Sequence, residues 1–180
     1  FMGLVGSEMC IRDRLMDDQR YIFYSDIFPK HVDVPWESVL MYVNATLNDP
    51  TGHCHVISNG GPPSYMSKWR RGYPCPPLFT IARREFEAWS GHECQNMDVY
   101  VSYFAPADTF GRHKDEEDVL IVGVKGRTSY RFDTNACETC LADIVTVNPG
   151  DALYIPKGMY HEASPKSPRA IFSYRVDAKT

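Results

Sequence analysis

Gly111-Arg112-His113-Lys114-Asp115-Glu116-Glu117-Asp118-Val119 and the turn and strand that follow, Gly126-Arg127-Thr128-Ser129-Tyr130-Arg131-Phe132, decide the reading of this chain. They are answered downstream by Pro149-Gly150-Asp151-Ala152-Leu153-Tyr154-Ile155-Pro156-Lys157-Gly158-Met159-Tyr160-His161-Glu162. Around these lie short apolar and aromatic runs at 99–104, 119–124, 128–132, 144–147, 152–155 and 169–176. Gly126, Asn148-Pro149-Gly150, Pro156-Lys157-Gly158 and the prolines 165 and 168 punctuate them. Short strands at this spacing, after a helical lead-in, predict a mainly β barrel or sandwich with N-terminal helices packed on one side.

The lead-in is read from its own signals. Tyr21-Ile22-Phe23-Tyr24 suggests a short strand. Asp33 is expected to cap a helix through Trp36, Val39, Leu40 and Val43, with Pro35 just inside it. A second helix is expected from 79 to 89, closed by Gly91. Gly60-Gly61-Pro62-Pro63 and Pro74-Cys75-Pro76-Pro77 bracket what reads as an irregular loop. In that loop Lys68-Trp69-Arg70-Arg71 is expected to be exposed, or to form a lid facing a substrate. Residues 1–14 show no amphipathic period and read as a non-native or disordered tail, leaving 15–180 as one domain.

Composition sets outer bounds. The chain has 180 residues, 43% of them hydrophobic, enough for a core without a metal or disulfide staple. A net charge of −4 argues against a nucleic-acid partner. No apolar run is long enough to span a membrane, and no basic-then-apolar leader is evident. Six cysteines are too few for a disulfide scaffold, so a reducing, cytoplasmic setting is expected.

The chemistry lies in His113, Asp115 and His161. Residues two apart in extended chain point the same way, so His113 and Asp115 can meet one ion, and a distant histidine can complete the set. Two imidazoles and a carboxylate leave coordination positions open, an arrangement suited to Fe(II) centres that activate oxygen. His31-Val32-Asp33 repeats the spacing, but its helical context makes Asp33 a cap and predicts no metal there. Cys137-Glu138-Thr139-Cys140, with His53-Cys54-His55 upstream, is an incomplete zinc pattern and is read as free thiols.

These segments resemble the double-stranded β-helix (cupin, jelly-roll barrel) of the JmjC and ribosomal-oxygenase-like branch of Fe(II)/2-oxoglutarate oxygenases. The resemblance rests on H-x-D-x-x-D-V from His113, an apolar strand, Gly126-Arg127, an aromatic-containing strand, and P-G-D-x-L-Y-I-P-x-G-x-x-H ending at His161; it covers 98–176. It implies His113, Asp115 and His161 as catalytic iron ligands. It further implies 2-oxoglutarate as co-substrate, hydroxylation of a substrate, and release of succinate and CO2. A protein or peptide side chain is the leading substrate. A small molecule stays open, because the sequence ends soon after the last strand, without the helical region through which many such hydroxylases dimerise. The oligomeric state is left open, a monomer included.

Two departures matter. Ordinary metal cupins carry H-x-H and a later Glu, whereas here Val119-Leu120 occupy the fourth place, which favours three ligands. The cation for the far carboxylate of 2-oxoglutarate commonly stands two residues after the glycine equivalent to Gly126, where this chain has Thr128. The last strand offers a substitute: Arg169, Ile171, Ser173 and Arg175 share a face by period-two alternation. The expected cofactor-binding set is therefore Arg169 or Arg175, with Thr128, Tyr130 and Ser173 as hydroxyl partners. Thr128 also keeps two rivals in view, a metal-dependent cupin enzyme that does not use 2-oxoglutarate and a non-catalytic ligand-binding cupin.

Overall fold

The computed structural model describes residues 20–51, 53–132 and 142–176, so the 1–14 tail and the Cys137/Cys140 pair lie outside the described residues. In chain order the elements are β1 (Ile22–Tyr24), α1 (Pro29–Val32), α2 (Trp36–Leu47), β2 (Cys54–Ile57), β3 (Ser64–Arg70), α3 (Pro77–Ser90), β4 (Asn96–Ser102), β5 (Asp118–Lys125), β6 (Thr128–Phe132), β7 (Asp143–Val147), β8 (Ala152–Ile155), β9 (His161–Pro165) and β10 (Arg169–Val176). Seven strands form one antiparallel sheet in the order β1-β8-β5-β10-β4-β3-β2, and β7-β6-β9 form a second. The expected mainly β, jelly-roll architecture is what is observed.

The central strands of the large sheet are buried on both faces, and they read accordingly. In β5, Val119 and Ile121 join Tyr130, Phe132, Leu153, Ile155 and Ile171 in the core between the sheets. Leu120, Val122 and Val124 of the same strand point the other way, into a core with Phe28, Val39, Phe79, Phe86, Phe172 and Tyr174. A strand covered on both sides needs an unbroken apolar run rather than alternation. Each fully buried side chain of this size contributes roughly 1.5–3 kcal/mol. The helices thus lie on the outer face of the large sheet, as the lead-in predicts.

Several local expectations need correction. The stretch between the two Gly/Pro clusters is not irregular: β3 occupies most of it and pairs with both β2 and β4. Its brackets are turns, and its alternation buries Ser67 and Trp69 while Lys68 is only partly covered. Trp69 is 3% exposed, donates Nε1–H to the Tyr73 carbonyl at 2.8 Å and lies under the Arg83 guanidinium. Lys68-Trp69-Arg70-Arg71 is therefore mostly strand, not lid. Asp33 does not cap α2, whose N-cap is Pro35 with no side-chain hydrogen bond; Asp33 instead ends α1. The second expected helix does end at Gly91, in the left-handed conformation that glycine adopts without penalty. Among the described residues Cys54, Cys75 and Cys94 are free thiols, and no helix is long and apolar enough to cross a membrane.

His31 lies in α1. It is fully buried; Nδ1–H donates to Glu85 at 2.9 Å, and Nε2 accepts from the Tyr174 hydroxyl at 2.7 Å. This satisfies a neutral imidazole on both nitrogens and ties α1 to α3 and β10.

Candidate active site

His113 lies outside the ten strands but extends the small sheet by one rung. Its N–H donates to the His161 carbonyl at 3.0 Å, and the His161 N–H returns the bond at 2.8 Å. In such an antiparallel pair the side chains emerge on the same side, and the two imidazole centroids are 4.4 Å apart. Asp115 follows two residues on, its carbonyl accepting the Gly158 N–H at 2.9 Å, so the 113–115 segment runs against the approach to β9.

The three side chains converge without satisfying one another. Each offers a ligand atom within 4.8 Å of the others. Asp115 lies 3.8 Å from His113 Nε2 and 3.6 Å from His161 Nε2, too long for hydrogen bonds. Both rings are instead anchored from behind. His113 Nδ1–H donates to the Gly111 carbonyl at 2.9 Å, and His161 Nδ1–H donates to the Met159 carbonyl at 3.1 Å. Because a carbonyl only accepts, each Nε2 is left to face the carboxylate with its lone pair when the ring is neutral. Burial pushes His161 below the ordinary imidazole range, which keeps that lone pair available. Two fixed imidazoles and a carboxylate are a donor set that fits a divalent first-row metal.

Behind the triad a pocket opens between the two sheets, with about 480 Å³ of empty space, its open mouth included. Its far end is built around Arg169, which is 2% exposed. Arg169 Nε donates to Ser102 Oγ at 3.1 Å and one terminal nitrogen donates to Thr128 Oγ1 at 3.2 Å. Ser102 is held in turn by Ser64 of β3 at 2.7 Å. Among the described residues the groups acting electrostatically on Arg169 are the phenols of Tyr130 and Tyr100. Burial pushes the guanidinium's pKa down, and no carboxylate among the described residues compensates it. Beside it the buried Tyr130 hydroxyl faces the guanidinium, which can only donate to it, so its own O–H has no acceptor among the described residues, and burial raises its pKa to about 12.

The expected site residues are thus divided. Arg169, Tyr130 and Ser173 line the pocket with the triad. Thr128 stands behind Arg169 as its anchor rather than in the lining. Arg175 is not brought in: it pairs with Glu117 at 2.9 Å, with 39% of its side chain exposed. Three alternations along a strand span about 20 Å, which carries the face shared with Arg169 out past the pocket. Lys114, between the two inward ligands, is exposed, with its Nζ 5.5 Å from the centre of the Tyr160 ring.

Two residues were not legible in advance. Tyr100 of β4 lines the pocket, and burial drives its phenol pKa far up. Phe110 stands at the lip, 49% exposed, with its ring 5.9 Å from that of His113. The polar alternation Asp98, Tyr100, Ser102 in an otherwise apolar strand is the signal that marks the β4 face.

The sequence pattern of the JmjC domain matches residues 84–180, more than half of the chain. No curated protein matches it. Among solved structures, the fold is similar to that of YcfD, a ribosomal oxygenase from Escherichia coli, with 17% identity and a TM-score of 0.65 over 94% of this chain and 51% of that one. A structure of YcfD in complex with cobalt and 2-oxoglutarate is similar with 16% identity and a TM-score of 0.64, over 94% of this chain and 52% of that one. This chain therefore spans about half the length of those it resembles. With a match that begins in α3, takes in both halves of the triad and runs through β10, the chain belongs to the JmjC domain family.

Proposed function

We propose that this chain is an Fe(II)- and 2-oxoglutarate-dependent oxygenase that hydroxylates a substrate, with release of succinate and CO2. One observation carries the reading. The pocket has a set of metal donors at one end and, at the other, a buried guanidinium with no carboxylate among the described residues, beside a phenol whose O–H has no acceptor among them. Leaving such groups unmatched is costly, and a ligand carboxylate matches both. A molecule with a metal-chelating end and a free carboxylate end, as 2-oxoglutarate has, fits both needs.

In this reading His113, Asp115 and His161 hold the metal, which when bound supplies oxygen activation coupled to oxidation of the keto acid. Arg169, with Tyr130, binds the far carboxylate; Ser102 and Thr128 hold the guanidinium in place. Tyr100, Ile171 and Ser173 wall the pocket between the two ends. Phe110 is the part of the lip that a substrate passes. In this reading Arg169 supplies the charge that Thr128 lacks, which supports use of 2-oxoglutarate over a cupin that does without it.

The proposed substrate is a polypeptide side chain, supported by the fold shared with a ribosomal oxygenase. Calorimetry of 2-oxoglutarate binding tests the cofactor assignment. Saturable binding to the Fe(II)-loaded protein without oxygen, and none after chelation of the metal, is expected. Absence of binding to the metal-loaded protein overturns the proposal.

A further inference from the structure

The turn between β2 and β3 carries no member of the triad, yet it is tied to the loop that delivers one. Asp108 Oδ2 accepts the backbone N–H groups of Asn59 and, at 2.9 Å, Gly61. The Asp108 N–H donates to the Pro62 carbonyl at 2.8 Å, and Asn59 Nδ2 donates to the Thr109 carbonyl at 3.3 Å. A Cβ on Gly61 would stand 2.6 Å from Asp108 Oδ1, so only glycine lets the carboxylate close on the turn unhindered. From there the bonds continue towards the metal centre. Thr109 Oγ1 accepts the Gly111 N–H at 3.2 Å, and the Gly111 carbonyl accepts His113 Nδ1–H at 2.9 Å.

We propose that Asp108 is a positioning residue for the metal centre, acting through the 109–111 segment on the ring of His113. The 103–112 stretch has no strand partners of its own, so beyond the His113–His161 backbone rung the orientation of the first ligand's ring depends on what fixes this loop. A single carboxylate accepting two amides from a neighbouring turn supplies that fixation. The β2–β3 extension of the large sheet is thereby a buttress for the ligand loop. The same segment carries Thr109 and Phe110 into the pocket wall, so the staple also sets the lip. This inference rests on the triad being a metal site.

Co(II) titration followed by visible absorption tests it, on wild type, Asp108→Ala, Asp108→Asn, Gly61→Ala and the Gly61→Ala/Asp108→Ala double variant, each verified folded by circular dichroism. Groups that orient metal-bound histidines typically alter affinity by about 10–100-fold, and a residue one bond further out is expected at the low end, roughly tenfold. Asp108→Ala is expected to weaken Co(II) binding by that amount and Asp108→Asn by less, since the amide retains one acceptor oxygen. Gly61→Ala is expected to weaken binding in the native background and to add nothing once Asp108 is alanine, because its effect passes through that carboxylate. As a control, Asp49→Ala removes an exposed carboxylate that caps Thr51 and is expected to leave affinity unchanged. Wild-type affinity in both Asp108→Ala and Gly61→Ala, strictly additive effects in the double variant, or an equal loss in Asp49→Ala overturns the proposal. If Asp108→Ala does not fold, Gly61→Ala against Asp49→Ala decides it by the same affinity comparison. Failure of the wild type to bind Co(II) overturns the metal reading itself, and the staple with it.

Discussion

Arg169 is the residue on which the cofactor assignment turns. Its guanidinium is dry, held by two hydroxyls and faced by phenols. A hydrogen bond to a charged group contributes about 1.5–3 kcal/mol, so Arg169→Ala should weaken 2-oxoglutarate binding roughly tenfold to a hundredfold. Arg175→Ala should leave it within about twofold, because that side chain pairs with Glu117 at the rim. Calorimetric titration of both variants, loaded with Mn(II), checks the contrast. The period-two face of β10 was legible in the sequence, but alternation alone could not separate the two arginines. What separates them is depth, set by the register that places Arg169 opposite Ser102 and Arg175 opposite Val119. Tyr100 stayed hidden for the same reason: its role depends on which strands flank β4.

At the scale of elements, the His31 contacts act as a clamp whose strength depends on pH. Burial pushes the His31 pKa below its ordinary value, despite the opposing pull of Glu85. Burial raises the Glu85 pKa, but the hydrogen bonds from His31 and from the Lys30 N–H outweigh it, and its carboxyl sits below the usual range. As pH falls below about 6.5 the unfolded chain takes up a proton at His31 that the native state refuses, so stability declines. Glu85 acts in the same direction at lower pH. Urea unfolding at pH 7.5 and 5.5 should show this loss in the wild type and a shallower one in His31→Gln. A second prediction concerns β5, where a Cβ on Gly123 would collide with the Asn148 carbonyl at the crossing into β8. Gly123→Ala should cost about 1–3 kcal/mol, read from the urea midpoint. Legibility varied with how local each element's cause is. Strands β6, β8 and β10 were read to the residue from their own composition. By contrast β9, His-Glu-Ala-Ser-Pro, contains no β-branched residue and is a strand because it pairs with β6. Likewise β3 was hidden by the glycines and prolines of its flanking turns.

At the scale of the molecule, one sheet serves two purposes through its two faces. Phe172 and Tyr174 lock β10 to the helices, while Arg169, Ile171 and Ser173 of the same strand front the pocket. A packed rear face lets the front keep a guanidinium with no carboxylate and a phenol O–H with no acceptor among the described residues, groups that a ligand carboxylate would match. The triad was legible because its residues carry a fixed spacing and lie in the right order along the chain. The buttress from β2 and β3 was not, since it exists only once the sheet has been extended past β4. Succinate formation from 2-oxoglutarate by the Fe(II)-loaded protein in the presence of oxygen tests the central claim most directly. Turnover in the wild type, even without prime substrate, and none in His113→Ala is the predicted result. Absence of succinate from wild-type protein that demonstrably holds both Fe(II) and 2-oxoglutarate, or undiminished turnover in His113→Ala, would contradict it.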